Sequence, residues 1–205
     1  MPLPVDALFV LVMQDLDDET AIRTTPPTVF LRHATRAQQW VALRYRLLRE
    51  TLPFALFANT PLYSLPTRYP RMVVVTHMTR SDGTPLSPVP YTSLRYRDTA
   101  WFSTTGTPLF FYRVGWRYLG IVPVPSADET AIMSGLMLPN DLTEMASRLQ
   151  IPDAWVPQLL QVTSGLMMLS RERRYEQGVA RIMAGLGLRS AASAPSAQET
   201  AGVTG

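Results

Sequence analysis

The spacing of apolar residues changes period twice along this chain, and that change limits the fold more than any single motif does. Up to about residue 62 the apolar side chains recur at three- and four-residue steps. From 63 to 139 they alternate, and from 151 the helical step returns. A helical segment buries a stripe and a strand buries alternate residues, so one regular element cannot satisfy both patterns. The expectation is an α+β chain: helices at both ends and a small antiparallel sheet inserted between them.

The first helix is expected over residues 4–16, with Pro4 suited to a first turn. Val5, Leu8, Phe9, Val12 and Leu16 follow helical spacing, and Val10, Leu11 and Met13 make it apolar on nearly every side. Such a helix must be covered all round, by its own fold or by a neighbour. After the acidic stretch QDLDDET, Thr25 can cap a second helix with Pro26 at its first position. Phe30, Ala34, Ala37, Val41, Tyr45, Leu48 and Leu52 then form one buried stripe, ended by Pro53 and Pro61.

In the middle segment, 72–78 is a β-branched strand, and Ser81, Asp82 and Gly83 signal a hairpin turn. Pro85, Pro88 and Pro90 confine the next piece to an edge or a loop. An aromatic hairpin follows at 109–122 around Val114 and Gly115, and a last strand near 131–138. Beyond Ile151, Pro152 and Asp153 one long helix is expected to run to about Leu186. Gly165 and Gly178 cost that helix about 1 kcal/mol each relative to alanine, so they mark close packing on another helix. Residues 189–205 fall to Ser, Ala, Pro, Thr and Gly and are expected to be disordered in isolation. DETAI occurs at 18 and at 128 with unlike flanks, which is no repeat.

Little in this composition supports chemistry. Cysteine is absent, which removes disulfides, thiol catalysis and Cys-based metal sites. All 19 basic residues are arginine, so a Schiff-base lysine and a phosphate-loop lysine are equally excluded. His33 and His77 stand alone, and the acids Asp15, Asp17, Asp18 and Glu19 lack the glycine and distal glutamate of a calcium loop. Gly185 and Gly187 begin a dinucleotide fingerprint that Ser190 fails. No catalytic residue, cofactor or metal is expected. A net charge of +3 is too small to argue for a nucleic-acid footprint. The N-terminus lacks a basic leader, Asp6 interrupts its apolar run, and residues 154–170 carry Pro157, glutamines, Thr163 and Ser164. No targeting signal or membrane span is expected.

The order of elements resembles a known family, the head-to-tail adaptors of tailed bacteriophages, especially the ring-forming adaptors of short-tailed phages. "YSLP" at 63, "MVVVTHM" leading into "SDGTPL", "SLRYRDTAWFSTTGTPLFFY" at 93, "LGIVPVPSADETAIMSGLMLPNDLT" at 119 and "IPDAWVPQLL" at 151 carry the likeness. One departure is Thr24, which follows Arg23 where the family has tryptophan. The resemblance implies a mainly helical bundle with an inserted small antiparallel β module and an extended C-terminal tail. Its parts would be N-terminal bundle helices at 1–62, the β module at 63–140, the C-terminal long helix at 141–188 and the tail at 189–205. It further implies a dodecameric ring beneath the portal protein, extending the channel for genomic double-stranded DNA. Such a ring offers a platform to tail nozzle, tube or fibre proteins in the virion neck, with assembly in the host cytoplasm. By family behaviour the last helix and tail reach the portal, which assigns Arg181, Leu186, Leu188 and Arg189 to docking.

A closed ring needs two different, complementary faces on each copy. Trp, Tyr and Arg dominate interface energetics, so Trp101, Phe110, Tyr112, Arg113, Trp116 and Tyr118 are the expected subunit or tail contacts. Phe111, Val114 and Leu119 are left to fill the sheet. A lumen of bare arginine would hold sliding DNA, so Arg171, Arg173 and Arg174 are expected to pair with Asp15, Asp17 and Asp18 across subunits. Three other readings stay open: a head-completion or stopper protein of a long-tailed phage, a monomeric nucleic-acid-binding domain, and a hydrolase with an unrecognised carboxylate pair.

Overall fold

The computed structural model of the chain describes residues 2–16, 25–97, 100–169 and 174–188. They form two compact units, one from the described residues up to 41 together with those from 142 onward, the other from those between 42 and 141.

The first unit is helical. Helix α1 (Val5–Asp15) and helix α2 (Pro27–Arg44) supply Leu8, Val12, Met13, Phe30, Ala34, Ala37 and Val41 to its core. Phe9 and Phe30 meet edge to face at 4.8 Å. Toward the C-terminus a short 3₁₀ turn, Asp153–Trp155, leads into helix α5 (Val156–Leu169) and then helix α6 (Tyr175–Gly185). These two helices replace the single long one that the spacing predicts. They lie against each other through glycine: a Cβ on Gly165 would stand 2.7 Å from the Gly178 carbonyl oxygen, and one on Gly178 would stand 2.8 Å from that of Gly165. Gly185 lies against Val162 and Gln158, so the pair runs antiparallel. Helix α6 stops where Gly187 takes φ +62° and Leu188 N–H reaches back to the Met183 carbonyl at 2.8 Å.

Buried side chains of α2 tie down the segment after residue 141. Thr35 Oγ1 accepts from Leu142 N–H at 3.0 Å, and Gln38 Oε1 accepts from Gln150 N–H at 2.8 Å. Both Thr35 and Gln38 are buried, so each leaves no backbone donor of that segment unmet at its own position.

The second unit is a sheet protein. Its strands are β1 (Arg49–Leu56), β2 (Leu62–Ser64), β3 (Met72–Arg80), β4 (Pro85–Pro88), β5 (Thr105–Gly106), β6 (Phe110–Val114), β7 (Tyr118–Val122), β8 (Val124–Pro125) and β9 (Glu129–Met137). Two short helices, α3 (Leu65–Arg68) and α4 (Tyr91–Arg97), interrupt them. Seven strands form one sheet in the order β1-β9-β3-β4-β6-β7-β2, and β5 with β8 form a parallel pair. This corrects the expected fold class. The chain is mixed α/β around a large curled sheet, not a mainly helical bundle carrying a small antiparallel module.

Two misread segments account for much of the difference. Leu48 and Leu52 continue a helical stripe on paper, but the chain leaves α2 at Arg46, which adopts φ +54°, and 49–56 becomes strand β1 along β9. The proline-rich piece is not at an edge: β4 sits between β3 and β6, antiparallel to the first and parallel to the second. Ser87 and Val89 supply the N–H groups toward the β6 side, at 2.9 Å each. Pro88 comes where pairing with β3 has already ended, so its missing donor breaks nothing.

The sheet curls until its end strands meet. Phe54 on β1 and Tyr63 on β2 stand at opposite ends of the strand order, yet their rings lie 5.2 Å apart. No strand pairing joins β1 to β2 in the strand order; side chains stitch the seam. Arg68 Nη1 donates to the Ala55 carbonyl at 2.9 Å, and the Tyr69 hydroxyl donates to the Pro53 carbonyl. Tyr63 Oη accepts from Phe57 N–H at 3.0 Å. The Arg68 guanidinium lies 4.9 Å from the Phe57 ring centre, 5.1 Å from that of Tyr63 and 5.7 Å from that of Phe54. Inside the curl, Phe54, Leu56, Tyr63, Leu65, Met78, Leu86, Phe111, Leu119, Ile121 and Met133 form the core.

Candidate functional site

Strands β6 and β7 pair antiparallel from Phe110 opposite Val122 to Val114 opposite Tyr118. Three residues bridge them, and Gly115 takes φ +60°, a backbone state that a side chain disfavours. Alternation sends Phe111, Leu119 and Ile121 into the core of the curl. The other face of the hairpin is also covered. Helix α4 and the turn after it lay Leu94 and Trp101 over Tyr112 and Val122, with Trp101 and Tyr112 edge to face at 5.2 Å. Tyr112 spreads over Gly120, its partner on β7, where any Cβ would collide with the ring. Burial, with the Tyr91 phenol nearby, pushes the Tyr112 hydroxyl up to about 12.

The six expected interface residues therefore occupy different environments. Tyr112 is buried, and Trp101 and Phe110 are half-buried beside it. Arg113 is turned along the sheet, where its Nη2 donates to the Val73 carbonyl at 2.9 Å. Trp116 at the turn is 62% exposed and Tyr118 45% exposed. Arg117, which sequence reasoning did not single out, stacks its guanidinium 4.8 Å over the Trp116 ring. Val114, expected inside, faces solvent. The structure thus brings Trp116, Arg117 and Tyr118 together as an exposed aromatic and cationic tip, carried on a rigid two-strand support. Phe102 and Leu109 add exposed apolar surface in the same unit; the STTGTP stretch between them reads as a turn and hides that.

Beside β6 an open cavity of about 380 Å³ runs along Val75, Pro88, Tyr91, Tyr112 and Arg113. Among the described residues no acid or histidine lines it. Among the described residues no group of three or more His, Asp and Glu stands close enough to hold a metal ion. Arg80 is neutralised between Glu129 at 3.1 Å and Asp82 at 2.9 Å. Hydrogen bonds from Thr84 hold the Asp82 carboxyl below its ordinary range.

In the helical unit, Asp15 pairs with Arg181, joining one residue expected to meet a neighbouring subunit with one assigned to portal docking. Arg174 donates to the Leu16 carbonyl at 3.3 Å. Leu186 is half-buried and Leu188 exposed. Asp17, Asp18, Arg171, Arg173 and Arg189 lie outside the described residues, as does the expected tail at 189–205. His33 sits buried on α2 with neither ring nitrogen hydrogen-bonded. Its pKa is lowered from 6.5, first by burial and then by the Arg32 and Arg36 charges. His77 on β3 is exposed. No described helix is long and apolar enough to cross a membrane.

Compared with known proteins, residues 5–199 match the family model described as SU10 adaptor protein. A search of curated proteins finds no match.

Proposed function

From the premise that the chain belongs to the SU10 adaptor protein family, we propose that it is a structural protein of the phage neck that forms a ring beneath the portal. The ring lengthens the channel for genomic DNA and presents a platform to tail or nozzle proteins. In this reading the protein works by being covered, and its aromatic surface serves adhesion.

The observation that supports it best is the hairpin tip. A tryptophan left 62% exposed beside a stacked arginine is a costly surface for a lone chain and a strong anchor for a joined one. The support is stiff: β6 and β7 are paired along their length and packed on both faces. Little ordering entropy is then lost when the tip is buried.

Negative-stain imaging of the chain mixed with its portal protein tests the ring. Replacing the anchor tests the tip: Trp116→Ala should weaken assembly or tail attachment by about 2 kcal/mol per contact, roughly thirtyfold. The melting temperature should stay unchanged. Unaltered assembly of that variant would contradict the anchor role.

A further inference from the structure

The exposed side of α2 carries Thr28, Arg32, Arg36, Trp40 and Arg44 at four-residue steps, one face of the helix. No acid occurs anywhere along α2. Arg32 and Arg36 have no ion-pair partner among the described residues, and Trp40 is 41% exposed. In the same unit α1 presents the converse pattern. Asp6, Val10 and Gln14 follow at the same four-residue step, with Val10 52% and Leu11 37% exposed. The described part of α1 carries acids and no cation. On α2 a cation precedes an aromatic by four residues; on α1 an acid precedes an aliphatic by four.

We propose that these two faces are each other's partners between copies of this chain: the Arg32, Arg36 and Trp40 side of α2 on one copy docks on the Asp6, Val10 and Leu11 side of α1 on another. Asp6 meets the Arg32 and Arg36 guanidinium groups, and Trp40 covers Val10 and Leu11. One contact then satisfies both uncovered helix faces, with charges that match. A polyanion such as duplex DNA would answer the arginines but leave Val10 and Leu11 bare, so a second copy accounts for more of the surface. The pairing rests on the reading of this protein as a self-assembling ring and names a surface that makes it.

Charge reversal in trans tests it. Asp6→Arg and Arg36→Asp are each made alone, both at exposed positions, with thermal unfolding as the control for an intact fold. Association is followed by light scattering, with and without portal protein. Each reversal alone places like charges together and should weaken association about tenfold. Mixing the two single variants restores opposite charges across copies and should return association to the wild-type level. A wild-type oligomer indifferent to both reversals, or one that the mixture fails to restore, overturns the pairing but leaves the ring. A wild-type chain that stays monomeric in every condition overturns the ring and the pairing together. Loss of duplex-DNA binding in Arg32→Ala and Arg36→Ala with oligomer mass unchanged assigns the α2 face to nucleic acid and also overturns it.

Discussion

At His33 a single imidazole couples the helical core to pH. The ring is buried and unbonded, and its pKa in the folded chain lies below 6.5 because burial and two arginines oppose a positive charge. The unfolded chain, with an ordinary histidine, binds the proton more readily. Stability is therefore expected to fall as pH drops below about 6.5 and to level off beneath the lowered folded value. His33→Phe removes the titrating group, and urea melts between pH 7 and 5 should then lose that part of their slope. A slope unchanged in the variant would assign it to carboxylates instead. Gly165 sets a different limit. An added methyl would meet the backbone oxygen of Gly178 at 2.7 Å and cannot rotate away. Gly165→Ala should cost about 1–3 kcal/mol in a denaturant melt as α5 and α6 are forced apart. Sequence spacing already shows Gly165 and Gly178 as contact residues. It does not show that they touch each other, because residues 170–174, Ser-Arg-Glu-Arg-Arg, carry no glycine or proline to mark a break, and the two helices read as one.

Among the elements, the seam between β1 and β2 has the least backbone support, since it depends on Arg68, Tyr69 and Tyr63 side chains. Arg68→Ala removes a guanidinium that lies against three rings and caps a strand carbonyl. The expected loss is about 1–2 kcal/mol, read as a lower midpoint in urea, whereas Arg68→Lys should recover only part of it. The elements also show where periodicity is readable and where it fails. Strands β3 and β9 and the β6–β7 hairpin were legible because β-branched runs and a Gly turn agree with one period. Strand β1 was not, because Tyr45, Leu48 and Leu52 fit a helical stripe and the break falls on Arg46, a residue type that gives no warning of positive φ. Strand β4 was misplaced because proline argues for an edge unless one knows that β3 has already stopped pairing. That both faces of the aromatic hairpin are covered and only its tip stays open was hidden too. It depends on α4 covering Tyr112, and YTSLRYR carries no strong helical stripe.

On the scale of the whole molecule, charge and adhesive surface are divided between the units. Residues 42–141 hold ten arginines and six acids, a net +4; the remainder holds nine and ten, a net −1, and together they give the chain's +3. Within the second unit, two aromatics answer differently to truncation. Tyr112→Ala empties a buried site and should cost the fold about 3–5 kcal/mol, visible as a large drop in melting temperature. Trp116→Ala should leave the melt alone and change only what the protein binds. Measuring both variants by thermal scan separates residues that hold the sheet from those that present it. The stitched seam bears on a further hazard. In the proposed ring, identical chains would stand at a very high local concentration of one another, the condition under which a bare strand margin seeds fibres. With the Pro53 and Ala55 carbonyls already engaged and proline denying a donor at 53, that margin is a poor template. Such crowding is then expected to leave this margin unextended by strands of a neighbouring copy.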